Sequence, residues 1–140
     1  MRVLFVCEGN INRSQMAEAF LRRLRPDVEI ETAGTLVPPW REGKPLSSIP
    51  GGSIETMKDI GYDIGAQVMN HLTKEMVERA DRLVLVGPTL GALPPPYFRN
   101  DSRLEEWGVP DPGYGAISHE GARDLIREKV DAFAKTLPLP

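Results

Sequence analysis

One cysteine, Cys7, is all that the 140 residues contain. An internal disulfide is therefore impossible, and a reducing, cytoplasmic setting is the expected one. With two histidines and one cysteine there is no cluster at metal-ligand spacing, so no metal is expected. No apolar run approaches the roughly 18–20 residues of a membrane span. No charged leader with an apolar centre precedes the first apolar segment, so neither membrane insertion nor secretion is expected. Positive charge is also short: 17 Lys and Arg stand against 20 Asp and Glu, a formal net charge of −3. No basic stripe is left to neutralise phosphates, and nucleic acid is not an expected partner.

What is present suits one domain spanning residues 1–140, with 41% hydrophobic residues to fill a single core. The 13 prolines and 13 glycines gather in loops rather than along the whole chain, which argues against general disorder.

One stretch organises the rest, running from Val3 to Glu18. Val3-Leu4-Phe5-Val6 reads as a buried parallel strand. Gly9 and Asn10 allow unusual backbone angles in the turn that follows. From Ser14 on, Met16, Ala17, Phe20, Leu21 and Leu24 recur at helical spacing, and Ser14 is a candidate cap for that helix. Cys7 and Arg13 bound the loop. A thiolate at a helix N-terminus gains from the unpaired N–H groups and the helix dipole. A tight loop of successive N–H groups makes a concave anion site, to which Glu8, Gly9, Asn10, Ile11 and Asn12 contribute. Arg13 adds a planar fork for two oxygens of a tetrahedral oxyanion. The hydroxyl of Ser14 is placed to donate to the sulfur. Together these groups describe a nucleophile beneath a phosphate-shaped cradle.

Further along, the first helix stops at Pro26, and Val28 to Ala33 alternates as a second strand. Leu36 to Gly52 is a Pro/Gly-rich loop holding Trp40. Ser53 to Ile60 reads as a helix closed by Gly61. His71 reads as a structural hydrogen-bonding group. Thr73 caps a short helix, and Arg82 to Val86 gives a third strand ended by Gly87-Pro88. Leu93 to Phe98 reads as a rigid loop, Leu104 to Trp107 as a short fourth strand, and Ser118 as the cap of a last amphipathic helix. The tail from Pro138 is expected to fray. Alternating strands and helices imply an α/β fold with a parallel sheet covered on both faces. Ligands in such sheets bind at the C-terminal strand ends, where Cys7 lies. Asp111, between Pro110 and Pro112, is held extended and out of any helix at that same end.

Cys7-x5-Arg13-Ser14 after a first strand resembles the low-molecular-weight protein tyrosine phosphatases and their relatives, the thioredoxin-coupled arsenate reductases. The resemblance implies a three-layer, phosphotyrosine protein phosphatase I-like fold with a four-stranded parallel sheet in the order 2-1-3-4. It implies phosphomonoester hydrolysis through a phosphocysteine, with no cofactor. Cys7 is then the nucleophile, Arg13 the phosphoryl ligand and Asp111, in its Asp-Pro pair, the general acid. Trp40 and Tyr114 resemble the aromatic wall that receives an aryl phosphate. The expected ligands are phosphotyrosine proteins or small aryl phosphates, and inorganic phosphate or other oxyanions. The chain departs from the pattern at Asn12, where both branches commonly carry a second cysteine, at Gln15, where the phosphatases have proline, and at Gly113, where they have an aromatic. The arsenate reductases also use two further cysteines in the third-strand loop, which this chain lacks. Arsenate reduction would need an external thiol. An oxyanion-binding module without turnover is the other alternative.

Overall fold

A computed structural model describes residues 1–140. Strand β1 (Arg2–Cys7) runs into helix α1 (Arg13–Leu24) and strand β2 (Glu29–Gly34). Helices α2 (Ile54–Lys58) and α3 (Lys74–Arg79) precede strand β3 (Arg82–Leu85). Helix α4 (Pro96–Arg99), strand β4 (Leu104–Glu106) and helix α5 (His119–Ala134) complete the chain. The four strands form one sheet in the order β2-β1-β3-β4, and every pairing is parallel. This is the order implied by the resemblance.

Why β1 lies in the middle follows from its side chains. Val3, Leu4, Phe5 and Val6 are all fully buried, as a strand covered on both faces requires. Successive residues point to opposite faces. Val3 and Phe5 join a large core with Met16, Phe20, Ile126 and Val130, under α1 and α5. Leu4 and Val6 join a smaller one with Leu83, Leu85, Val77 and Phe98, under α3 and α4. Phe5, Trp107 and Phe133 pack with ring centroids 5.6 and 5.9 Å apart. Each such pair adds about 0.5–1.5 kcal/mol beyond the area it buries. Helix α5 buries Ala122, Ile126, Val130 and Phe133, one stripe at helical spacing.

The caps at Thr73 and Ser118 are present: their hydroxyls accept from the amides of Met76 and Gly121. Several boundaries differ from expectation. Helix α1 begins at Arg13, with Asn12 at the cap position and no side-chain cap. Ser14 is thus inside the helix and does not cap it. Helix α2 is shorter than read, and Pro96 starts a single turn of helix (α4) where a rigid loop was expected. The tail is held rather than free at one point, since Arg25 donates to the Pro138 carbonyl. No helix is long and apolar enough to cross a membrane.

The chain leaves β1 in one direction to β2 and returns on its other side to β3. The direction of winding therefore changes at β1. A crevice opens at such a switch point, outside the carboxyl ends of the strands. Cys7 is the last residue of β1.

Candidate active site

At that end lies a cavity of about 250 Å³. Cys7, Glu8, Gly9, Ile11, Asn12 and Arg13 line it from the loop between β1 and α1. Asp111, Gly113 and Tyr114 line it from the loop after β4, and Leu36 and Arg41 from the segment after β2. Most of the residues singled out in the sequence are therefore brought together.

Two of them lie behind the cavity rather than on it. Asn10 and Ser14 are completely buried and are not among the lining residues. Asn10 is the single non-glycine residue with positive φ, at 55°, a region that asparagine tolerates better than most. Its side chain secures that turn. Its Nδ2 donates to Ser14 Oγ at 2.7 Å, and its Oδ1 accepts from the Asn70 amide at 2.7 Å. Ser14 Oγ lies 3.0 Å from Cys7 Sγ. Because Asn10 already fills an acceptor position of that hydroxyl, the Ser14 proton is free to point at the sulfur.

Gln15, a departure from the phosphatase pattern, braces the same turn. Its Nε2 donates to the carbonyls of Asn10 and Val68, each at 2.9 Å. Gln67 in turn donates to its side-chain oxygen at 2.9 Å. Asn70 joins this network through its backbone amide to Asn10, while its Nδ2 donates to the Thr32 carbonyl. At Asn12, Oδ1 accepts from the Ser53 hydroxyl at 2.8 Å. His71 bridges to Gly34 through its backbone and stays outside the cavity.

Arg13 is 1% exposed and is held from the far side. Nη1 donates to the carbonyls of Pro88 at 3.0 Å and Val109 at 2.9 Å, and Nη2 to Asp111 Oδ2 at 3.3 Å. Asp111 Oδ1 accepts from the Gly113 amide at 2.8 Å, which fixes the short turn Pro112–Tyr114. The backbone of Asp111 is extended, as its following proline dictates. Guanidinium and carboxyl thus meet from the start of α1 and the loop after β4, in the cavity that Cys7 also lines.

Gly87 is what lets Arg13 sit there. A Cβ on Gly87 would stand 1.9 Å from the Val109 carbonyl oxygen and 2.2 Å from Arg13 Nη1. Both are fixed, so something must move. Gly87→Ala is expected to displace Arg13 and lower kcat/KM by about 10²-fold, the cost of misplacing a catalytic group by about 1 Å. Steady-state kinetics beside a thermal melt checks this. A variant with unchanged kcat/KM would show that Arg13 has room to spare.

Glu8 lines the cavity, but its carboxylate faces the walls. Oε2 accepts from the Tyr114 hydroxyl at 2.6 Å, and Oε1 from the Gly91 amide. Burial pushes its carboxyl up. The hydrogen bonds from Tyr114, Gly91 and Ala92 and the nearby Arg13 charge outweigh that and hold it below the usual range. The same bond to Glu8 raises the Tyr114 hydroxyl. Glu8 is therefore a strut between three loops, and its expected part as an anion ligand is confined to its backbone. Trp40 is 64% exposed and does not line the cavity. The aromatic wall reduces to Tyr114, with Ile11 and Leu36 as apolar neighbours.

Arg41 and Leu36 carried no signal that sequence reasoning used. Arg41 Nη1 donates to the Gly9 carbonyl at 2.6 Å and contacts Met69 Sδ at 3.5 Å; Nη2 donates to the Leu36 carbonyl at 3.2 Å.

The sequence profile of the low molecular weight phosphotyrosine protein phosphatase family matches residues 2–138. The chain belongs to that family. As a member it is a hydrolase of the phosphatase type. A probable low molecular weight protein-tyrosine-phosphatase, EpsP, from Ralstonia solanacearum is 32% identical, over 94% of this chain and 92% of that protein. An arsenate reductase from Halalkalibacterium halodurans is 27% identical, over 96% of this chain and 95% of that one. Among solved structures, Wzb from Vibrio vulnificus in complex with benzylphosphonate superposes with a TM-score of 0.77 at 26% identity, covering 97% of this chain and 98% of that one. Both branches named by the resemblance thus recur among the relatives of this phosphatase-family chain.

Proposed function

We propose that the protein hydrolyses aryl phosphomonoesters, phosphotyrosine among them, through a phosphocysteine on Cys7. The observation that carries this reading is that Cys7, Arg13 and Asp111 line one cavity, with Arg13 joined to Asp111 at 3.3 Å.

The Ser14 hydroxyl, 3.0 Å from the sulfur, stabilises the thiolate by hydrogen bonding. The thiolate attacks phosphorus in line with the leaving oxygen, forming the S–P bond as the P–O bond breaks. Loop N–H groups and Arg13 stabilise charge on the equatorial oxygens. An arriving phosphoryl group competes with Asp111 for Arg13 Nη2, so binding substrate releases the carboxyl from its ion pair. Freed from the guanidinium, the Asp111 carboxylate takes up a proton from solvent and gives it to the departing aryl oxide. It then takes a proton from the water that attacks phosphorus and returns the thiolate. Tyr114, Ile11 and Leu36 offer an apolar mouth for the aryl group.

The test is hydrolysis of para-nitrophenyl phosphate by purified protein with a chelator present. Turnover within the usual enzymatic range of roughly 1–10³ s⁻¹ is expected. An unreactive protein that still binds phosphate would overturn the reading in favour of an oxyanion-binding module. Arsenite release only with an added small thiol would favour a reductase. The kinship with arsenate reductases keeps that second reading in view, but with Cys7 as the one cysteine an internal disulfide relay is closed to these residues.

A further inference from the structure

Two arginines are buried in this chain, Arg13 and Arg41, at 1% and 8% exposure. Arg13 has Asp111 as its counter-ion. Arg41 has none. No carboxylate lies within ion-pair distance of it, although most of the other arginines hold one, such as Arg79 on Glu31 and Arg103 on Asp101. Its partners are two neutral carbonyls and a thioether sulfur. These take three of the five N–H donors that a guanidinium carries. A buried cation without a counter-ion is costly and is normally paired or neutralised.

Its position supplies what it lacks. Arg41 lines the same cavity as Cys7 and Arg13. It donates to the Gly9 carbonyl of the anion loop, whereas Arg13 is held by the Val109 and Pro88 carbonyls of other segments. A Cβ built on Gly9 would meet Arg41 Nη2 at 3.7 Å, so the guanidinium is in ordinary contact distance of the loop. Burial pulls the guanidinium below its usual value, and the negative charge of Cys7 opposes that. Arg41 thus lines the cavity with the charge of Cys7 as the one opposing its burial.

Resting on the phosphatase reading of the cavity, we propose that Arg41 is a second guanidinium for the bound oxyanion, setting affinity for the phosphoryl dianion from the Gly9 side. Two cations then flank the cradle. Arg13 enters from α1 with Asp111 behind it, and Arg41 from the loop after β2 with no acid behind it. Of the two, Arg41 loses no ion pair when the anion arrives.

The experiment uses inorganic phosphate as its probe, with wild type, Arg41→Gln and Arg41→Lys. Affinity is read in two ways: as competitive inhibition of para-nitrophenyl phosphate hydrolysis, and as the rise in thermal midpoint with added phosphate, which needs no turnover. Arg41→Gln, which keeps an amide donor and removes the charge, is expected to weaken phosphate binding about tenfold. Arg41→Lys, which keeps the charge and loses the fork, is expected to stay within about threefold of wild type. Arg41→Gln within about twofold of wild type overturns the proposal. So does Arg41→Lys losing as much as Arg41→Gln, since Arg41 would then act only by shaping the loop through Gly9. Should Arg41→Gln not fold, the lysine variant decides alone: retention within threefold supports the charge, and a tenfold loss overturns it. The two readings fail separately. A wild type that does not hydrolyse the ester, but whose phosphate-dependent melting needs the charge at 41, removes the phosphatase function and leaves this inference standing. An active enzyme indifferent to residue 41 does the reverse.

Discussion

Cys7→Ser protein is expected to fold, to bind phosphate and to hydrolyse para-nitrophenyl phosphate at least about 10⁴-fold more slowly than wild type. Loss of a catalytic nucleophile costs that much or more when the rest of the site stays intact. Serine is a poor replacement here because an alkoxide forms far less readily than a thiolate, and the side-chain hydrogen-bond partner at position 7 is a hydroxyl rather than a base. Ser14 Oγ is that partner, at 3.0 Å. Cys7 is 2% exposed at the end of a strand whose apolar residues are fully buried, so losing one heavy-atom type for another changes little in the core. Retained thermal stability and a retained phosphate-dependent rise in melting temperature, beside lost turnover, are the expected pair of results. Residual activity within tenfold of wild type would remove Cys7 from the reaction.

Asp111→Asn should lower turnover of phosphotyrosine by about 10²–10⁴-fold, the range of general acid contributions. The loss should be smaller for para-nitrophenyl phosphate, whose leaving group departs with little help from a proton. That difference between substrates separates proton donation from simple disturbance of the loop. Disturbance is a real alternative here, because both oxygens of Asp111 accept hydrogen bonds. Oδ1 takes the Gly113 amide and Oδ2 takes Arg13 Nη2. Asparagine offers one acceptor and one donor, so it satisfies only one of these donors. A displaced loop would slow both substrates equally and weaken phosphate binding. Lost proton donation would leave phosphate affinity in place and widen the gap between good and poor leaving groups. Equal losses on the two substrates would reject Asp111 as the acid.

Much of this site was legible because its signals are local. The run Val3 to Val6, the turn Gly9-Asn10 and the helical spacing from Met16 to Leu24 specify strand, loop and helix without distant information. Cys7 and Arg13 are therefore placed by their immediate neighbours. The Pro110-Asp111-Pro112 sequence restricts its own backbone, and the observed conformation agrees. Other parts depend on contacts between segments far apart in the chain, and no periodicity reports them. Arg41 meets Gly9 across 32 positions, and Tyr114 meets Glu8 across 106. Ser14 has the residue type of a cap, but its hydroxyl is taken by Asn10 and Cys7, and the helix starts one residue before it. Trp40 lies in a Pro-rich loop that also carries Arg41 and Leu46. Both are buried while the indole stays 64% exposed. Gln15 read as a departure from a family pattern, yet with Gln67 and Asn70 it is part of the frame that holds Asn10 in its left-handed conformation.

The asparagine at position 12 also bears on how the protein meets oxidants. A thiolate poised for attack on phosphorus is also open to peroxide, which converts it to a sulfenic acid. In a loop with a neighbouring thiol, that species closes to a disulfide and is spared further oxidation. Here the neighbouring side chain is an amide, anchored to Ser53 and unable to react. No other cysteine exists among the 140 residues to take its place. Recovery of an oxidised Cys7 therefore falls to a thiol from outside the chain. Without one, the next step on the oxidation ladder is irreversible.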